Sequence, residues 1–354
     1  MDRCTRCLLP RNYPRTTFDE NGVCEYCLAF TPRQLLGEQV LVDTIRRYKR
    51  PDAKYDCVVG LSGGRDSTYT LYYLVRQLGM KAAAYTVDHG FLPPETIESV
   101  QRAVSVLGVD HTVIKHDHNL KTAGTLLRAW VHKPDPAMVG AICLGCRTMV
   151  HKATLEAGSR FGAPVVLGAG EPGSDEYFGA RFFSRHSDRP IGKTALLLKM
   201  AAKFLANPRY LLNARVPPLL VREYLGHFSP WTPKNVMPVL CFYAYLDWDE
   251  KKIQSTIERE VGWKQYNRSD SAWRSDCKLA VLKNQMYLRS WGHTKNDILV
   301  SSLVRAGKLT KEEGLARLEA ESQYRPQTVE QLCQEIAGIP DLNGTRRTTL
   351  LGRA

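Results

Sequence analysis

The sequence predicts an α/β fold: a parallel sheet with helices on both faces, preceded by a small cysteine knuckle and followed by a mainly helical region. Three observations predict it. Strand-like and helix-like segments alternate from Tyr55 to about Gly170, the pattern of βαβ units whose helices cover a parallel sheet. Cys4, Cys7, Cys24 and Cys27 fall among Pro, Asn, Asp and Gly, in a segment too short and polar for a core of its own. From Trp248 to Ala320 the pattern is helical, with Thr310-Lys311-Glu312-Glu313 as a capping-box-like start.

In chain order, residues 1–30 form the knuckle. Residues 31–50 predict a helix, with Leu35, Leu36, Val40, Ile45 and Tyr48 among basic and polar positions. Asp56-Cys57-Val58-Val59-Gly60-Leu61 is a short apolar run, hence a buried strand. The loop Ser62–Ser67 leads into a helix over Thr68–Leu78 that stops at Gly79. Lys81–Val87, His111–Lys115 and Pro164–Gly168 predict strands; Glu95–Leu107, Leu120–His132 and part of Ala141–Phe161 predict helices. Residues 180–250, rich in proline, predict several helices. The tail after Tyr324, which carries Thr345-Arg-Arg-Thr-Thr349, is expected to be loosely held. The expected divisions are 1–30 (knuckle), 31–180 (sheet domain), 181–324 (mainly helical substrate or partner region) and 325–354 (tail).

The 354 residues carry 49 Lys+Arg against 36 Asp+Glu, a formal net charge of +13, and 44% are hydrophobic. That composition builds a core and excludes disorder as the main state. The apolar stretch Thr194–Ala206 is broken by Lys199 and Lys203, short of the roughly 18 apolar residues of a span, so no membrane insertion is expected. Met1-Asp2-Arg3-Cys4 opens no signal-peptide core, so a cytoplasmic protein is expected. There, paired cysteines bind metal or do chemistry more often than they form disulfides. Positive charge suits tRNA, an anionic nucleotide-linked substrate or an acidic partner, and equally a solvated surface. Arg181, Arg185, Arg189 and Lys193 have the same two readings, phosphate binding or a solvated helix face.

The glycine loop carries the strongest chemical signal. Between a buried strand and a helix, Ser62, Gly63, Gly64 and Ser67 offer backbone N–H and hydroxyl donors where the helix dipole is positive, a natural phosphate cradle. It is not the Walker pattern G-x-x-x-x-G-K-[ST], nor G-x-G-x-x-G. The bland alternative is a glycine turn after a strand.

Two cysteine groups follow. Cys4-x2-Cys7 and Cys24-x2-Cys27, with 16 residues between them, have the spacing of a tetrahedral Zn2+ site closed by four thiolates, and a closed site is structural. Cys143-Leu144-Gly145-Cys146 is a second C-x-x-C. It fits a second zinc site, a redox dithiol, a buried structural pair or two ligands of a cluster. With the distant Cys277 it could supply three thiolates to a [4Fe-4S] cluster, leaving one iron open to an exogenous sulfur ligand. Cys241 is the less favoured third ligand, because Val239, Leu240 and Phe242 suggest packing. Cys57 and Cys333 read as core residues.

The pattern Ser62-Gly63-Gly64-Arg65-Asp66-Ser67 resembles the PP-loop of ATP pyrophosphatases, which cleave ATP between the α- and β-phosphates. That resemblance implies an adenine-nucleotide α-hydrolase-like fold and an enzyme that moves AMP onto a carbonyl or amide oxygen. It also implies that Leu61 through Ser67 hold the pyrophosphate of ATP, that Asp66 helps hold Mg2+, that Val87 and Asp88 lie against adenine and ribose, and that Gly168-Ala169-Gly170 border the nucleotide on the other side. The rule that ligands sit outside the carboxyl ends of parallel strands agrees.

Two finer resemblances overlap. Cys4-Thr-Arg-Cys7-Leu-Leu-Pro, Thr17 through Cys24, Gly170-Glu171-Pro172 with Glu176-Tyr177, and Asp297 through Gly314 are similar to N-acetyl sugar amidotransferases of surface-polysaccharide pathways. These replace an acyl oxygen with ammonia from a partner glutaminase. The C-x-x-C about 75 residues after the loop, with a distant third cysteine, instead resembles tRNA-thiolation enzymes of the PP-loop type, which substitute sulfur with an Fe–S cluster. Sulfur substitution is the first expectation, because amide activation with ammonia needs no thiolate. The acceptor would be a small molecule, a nucleotide or a tRNA base, and the sulfur source a donor protein or sulfide; a homodimer is allowed.

Overall fold

The computed structural model describes residues 3–115, 119–169, 193–225, 238–265, 277–322 and 326–343. At its centre a five-stranded sheet runs in the order β3-β2-β1-β4-β5. The strands are β1 (Cys57–Gly60), β2 (Ala82–Asp88), β3 (His111–Lys115), β4 (Val166–Gly168) and β5 (Val239–Cys241), and every pairing is parallel. Helices α1 (Glu38–Tyr48), α2 (Arg65–Tyr72), α3 (Pro94–Leu107), α4 (Asn119–His132) and α5 (Leu144–Phe161) accompany the first four strands.

Side chains of β1 alternate between two apolar layers. Cys57 and Val59 pack with Leu41, Leu71, Val100 and Ile257, whereas Val58 packs with Ala83, Tyr85, Ala153 and Ala157. Both faces are buried, which is why β1 reads as an unbroken apolar run. The α/β reading holds.

Three local expectations shift. Helix α1 starts only at Glu38; Leu41 and Ile45 are buried, while Leu35, Leu36, Val40 and Tyr48 are exposed. Helix α2 starts three residues before Thr68, with Gly64 as its N-cap, and continues into a π turn over Tyr73–Gln77. Strand β5 arises inside the proline-rich stretch expected to be helical, so the sheet draws on residues both before and after 180. Its three residues are too few for a visible period.

The C-terminal part contributes α6 (Lys193–Ala206), α7 (Val216–Leu225), α8 (Glu250–Val261), α9 (Leu279–Trp291), α10 (Lys295–Arg305), α11 (Lys311–Ser322) and α12 (Pro326–Ala337). The capping box at α11 forms as expected: Thr310 N–H donates to Glu313 Oε2 at 3.0 Å, and Glu313 N–H to Thr310 Oγ1 at 3.0 Å.

The loosely held tail is corrected for residues 326–343. Val329, Leu332, Cys333 and Ile336 form a helical stripe that is buried in the core. Gly124 of α4 lets α12 approach so closely that a Cβ there would lie 2.3 Å from Ile336 O, and Arg128 Nη1 donates to Ala337 O at 2.8 Å. Burying that stripe, at about 25 cal/mol per Å2, outweighs the fraying expected of a chain end. Thr345–Thr349 lies outside the described residues. Among the described residues no helix is long and apolar enough to cross a membrane.

Candidate functional site

Residues 61–64 connect β1 to α2, and their shape is fixed by neighbours. Gly63 has φ +78°, and a Cβ there would lie 2.7 Å from Thr96 O and 2.8 Å from Thr96 Cγ2 of α3. Only glycine fits. Gly63 O accepts from Trp263 Nε1 at 3.1 Å. Ser67 Oγ ties the loop to itself: it accepts from Ser62 N–H at 3.1 Å and donates to Gly64 O at 3.1 Å, with Ser62 Oγ 3.1 Å away. The amides of Gly63, Asp66 and Ser67, by contrast, donate to no acceptor among the described residues. Unpaired amides at a helix N-terminus, where the dipole is positive, form a receptor for an anion such as phosphate.

Asp66 stands in the first turn of α2. Its Oδ1 accepts from Trp248 Nε1 at 3.0 Å and Arg65 Nε at 3.1 Å, while Oδ2 takes no hydrogen bond among the described residues. One oxygen is anchored and the other is available to a cation. The Arg65 guanidinium lies 5.1 Å from the Trp248 ring centroid and pairs with Glu250, whose Oε2 accepts from Arg317 Nη2 at 2.8 Å. Burial opposes charge on Arg65, but Asp66 and Glu250 outweigh it and push its pKa up.

The strand ends complete the crevice. The order reverses between β1 and β4, the switch point at which open α/β sheets bind ligands. Leu61 N–H donates to Tyr85 O at 2.8 Å, and Thr86 Oγ1 donates to Leu61 O at 2.7 Å. Thr86 Oγ1 lies 2.9 Å from His111 Nε2, and since its one proton is committed, His111 must donate through Nε2. Burial lowers the His111 pKa, keeping the ring neutral. Val87 is half-buried at the end of β2, and Asp88 Oδ1 accepts from Gly90 N–H at 3.0 Å. Gly168 ends β4 with open space where a Cβ would be, paired with Cys241 of β5.

Cys241 corrects an expectation. It is exposed, with Sγ 3.5 Å from Ala169 O, because β5 is an edge strand that turns Val239 and Cys241 outward and only Leu240 inward. Of its apolar neighbours, Leu240 is half-buried and Phe242 buried, whereas Val239 shares the exposed face. Gly170 through Tyr177, with Arg181, Arg185 and Arg189, lie outside the described residues.

Cys143 ends the 3-10 turn Pro136–Cys143, and Cys146 follows in the first turn of α5. Both are half-buried, as is Cys277, just before α9. Helix α9 packs on that 3-10 turn, and Lys283 Nζ donates to Cys143 Sγ at 3.5 Å. Cys277 lies two residues before α9, and Lys283 in its second turn. Lys278 N–H donates to Phe91 O at 3.0 Å, which ties the Cys277 segment to the loop leaving β2. The structure therefore places Cys143 and Cys277 around one helix start beside the carboxyl ends of the strands. It does not draw Cys143, Cys146 and Cys277 together as ligands of one ion, since among the described residues only the N-terminal four have ligand atoms within 4.8 Å of one another.

Those four, Cys4, Cys7, Cys24 and Cys27, are buried. The Sγ atoms of Cys7 and Cys24 are 3.6 Å apart and those of Cys4 and Cys27 3.9 Å. Four thiolates around one ion at about 2.3 Å lie about 3.8 Å from each other, so the geometry fits a single metal ion. The Cys24 thiol donating to Cys7, aided by Arg305, holds Cys7 down to about 5 against burial, while burial pushes Cys27 up to about 11. Arg305 Nη2 lies 3.5 Å from Cys7 Sγ. The knuckle docks on the C-terminal helices: Arg3 Nη2 binds Asp297 Oδ1 at 2.7 Å, Lys311 Nζ donates to Thr5 O at 2.6 Å, and Trp291 Nε1 donates to Asn12 O at 3.1 Å.

No protein-family model and no curated protein sequence matches the chain. Among solved structures it is similar to NMN synthetase from Francisella tularensis, at 13% identity over 80% of this chain and 90% of that one, TM-score 0.36. It is also similar to the U34-tRNA thiolase from Methanococcus maripaludis with its [4Fe-4S] cluster, at 14% identity over 97% and 98%, TM-score 0.35. A third is the NH3-dependent NAD synthetase from Campylobacter jejuni, at 14% identity over 53% and 92%, TM-score 0.28. Superposition this loose transfers no residue role, so the chemistry of this chain rests on its own side chains.

Several groups at the site have no signal in the sequence. Trp248, Trp263, Glu250 and Arg317 reach the glycine loop from about 180 to 250 residues away, and nothing local marks them. Lys283 and Arg305 are likewise ordinary helix residues until the fold sets them beside sulfur.

Proposed function

We propose that the chain is a PP-loop ATP pyrophosphatase that adenylates a carbonyl or amide oxygen and replaces that oxygen with sulfur. The unpaired amides of Gly63, Asp66 and Ser67 at the switch point of a parallel sheet carry the first half of this proposal. The acceptor oxygen attacks the α-phosphorus of ATP, the bond to the β-phosphate oxygen breaks, and pyrophosphate departs against those amides and the helix dipole. Mg2+, when bound, would offset the phosphate charge, and Asp66 Oδ2 would help hold it, directly or through water. Val87 and Asp88 on one side and Gly168 on the other flank adenine and ribose.

Sulfur is favoured by Cys143 and Cys277, which lie around the start of α9 beside the loop leaving β2. Cys143, Cys146 and Cys277 would hold a [4Fe-4S] cluster, whose open iron would present an exogenous sulfur. Sulfur from sulfide or a donor protein would attack the adenylated carbon, and AMP would leave with the original oxygen. The N-terminal site takes Zn2+, which four thiolates leave with a net double negative charge; Arg305 offsets part of it. The acceptor is a small molecule, a nucleotide or a tRNA base.

A second reading, replacement by ammonia on an N-acetyl sugar with a glutaminase partner, keeps one specific support. Two of the stretches that resemble sugar amidotransferases, Cys4 through Pro10 and Asp297 through Gly314, touch each other through Arg305–Cys7, beside the Arg3–Asp297 pair.

Anaerobic purification and reconstitution with iron and sulfide separates the two. Sulfur transfer predicts about four irons per chain beside one zinc, and loss of the iron in Cys143→Ala. Zinc alone, with no iron taken up, would instead support amidation.

A further inference from the structure

Between the cysteine knuckle and the glycine loop runs an unbroken series of contacts. It starts at α11. Lys311 of that helix donates to Thr5 O at 2.6 Å, between Cys4 and Cys7. One turn on, Gly314 lies so close to the knuckle that a Cβ there would sit 3.0 Å from Leu8 Cδ1 and 2.9 Å from Val300 Cγ1. One more turn on, Arg317 Nη2 donates to Glu250 Oε2 at 2.8 Å. Lys311, Gly314 and Arg317 are spaced i, i+3, i+6, so successive turns of one helix meet the knuckle and Glu250.

From Glu250 the contacts reach the loop. Glu250 pairs with both Arg317 and Arg65, and the three side chains are mostly buried, at 18, 24 and 12% exposure. Arg65 in turn donates to Asp66 Oδ1 and lies over the Trp248 ring whose Nε1 holds the same oxygen. A buried Arg–Glu–Arg–Asp chain adds little net stability compared with apolar packing, but it fixes orientation, because a guanidinium fork donates to carboxylates in few geometries.

We propose that Glu250 and Arg317 are positioning residues for Asp66, and that the N-terminal metal site and the nucleotide site are thermodynamically coupled through helix 311–322. Metal in the knuckle fixes Thr5 and Leu8, hence the helix that carries Arg317, hence the rotamer of Arg65 and the direction of Asp66 Oδ2. Coupling of this kind is reciprocal: nucleotide must tighten the metal by the factor by which metal tightens nucleotide. The proposal rests on the ATP-loop assignment above.

Zinc affinity of the full-length protein, measured by competition with a chromogenic chelator with and without saturating Mg2+ and an α,β-methylene ATP analogue, tests it. The expected result is zinc held at least about fivefold more tightly with the analogue present. In Arg317→Met and, independently, Glu250→Gln, the expected ratio falls to about one while both ligands still bind and the far-ultraviolet spectrum is unchanged. Arg317→Lys, which keeps a cation for Glu250, restores part of it. The relay is overturned if the analogue binds but leaves zinc affinity unchanged, or if folded Glu250→Gln keeps the full ratio. Failure of the analogue to bind at all overturns the ATP-loop assignment and the coupling with it.

Discussion

Two sets of cysteines in one chain have opposite surroundings. The N-terminal four are at most 2% exposed, with paired sulfurs 3.6 and 3.9 Å apart. Their thiols touch each other and Arg305, and the knuckle is sealed under α9, α10 and α11. Cys143, Cys146 and Cys277 are half-buried and more loosely gathered, where α9 packs on the 3-10 turn that ends at Cys143. A closed set suits a permanent ligand and an open set suits turnover, and the fold spends its packing on the first.

Removing a thiol from each set is the strongest way to break that comparison. Cys24→Ser is expected to abolish zinc binding and, because structural zinc sites contribute about 10–16 kcal/mol of apparent binding energy, to leave the knuckle unfolded and the chain insoluble or strongly destabilised. Cys143→Ala is expected to shift the thermal midpoint by only a few degrees, since a half-buried thiol costs about 1 kcal/mol or less. Equal destabilisation by both, measured by thermal denaturation, would erase the distinction.

The next effect concerns packing of the two helical ends. Leu332→Ala in α12 is expected to cost about 2–4 kcal/mol, read from urea denaturation, because that side chain is 6% exposed in the same core as Cys4 and Cys7. A loosely held tail would give a change near zero. Gly63→Ala follows at about 2 kcal/mol, from the positive φ and the contact with Thr96; nucleotide affinity should fall at least about tenfold in the same variant, by calorimetry.

The smallest effect is a pH dependence. The His111 pKa is lowered by burial, so the folded state favours the neutral ring. Its contribution is complete above the unfolded value of about 6.5 and is lost as pH falls from there toward the folded value, where the unfolded chain binds more protons. Stability should therefore decline as pH falls below about 6.5, and His111→Gln, which keeps a donor toward Thr86 without titrating there, should flatten the slope. An unchanged slope would show that His111 is not the titrating group behind it.

The sheet and the loop were legible because their signals are local. A buried strand, two glycines and Asp66 in a first helical turn sit within a dozen residues, and so do both halves of each C-x-x-C. Strand β5 was not legible, since Val239, Leu240 and Cys241 give no period, and the outward turn of Cys241 is a property of the sheet edge. The stripe Val329, Leu332, Cys333 and Ile336 was present in the sequence but was outweighed by its place near a chain end. Trp248, Glu250, Trp263 and Arg317 were invisible for a different reason: their role is created by tertiary contact with the loop, and nothing in their own neighbourhoods requires it.

The central claim is that the turn from Leu61 to Ser67 receives the phosphates of a nucleotide. Isothermal titration with Mg2+-ATP, Mg2+-pyrophosphate and adenosine, on the zinc-loaded chain and on Gly63→Ala, tests it directly. The account predicts that ATP and pyrophosphate both bind and compete, that adenosine binds far more weakly, and that Gly63→Ala weakens both phosphate ligands together. Adenosine binding as tightly as ATP, or pyrophosphate affinity untouched by Gly63→Ala, would contradict it.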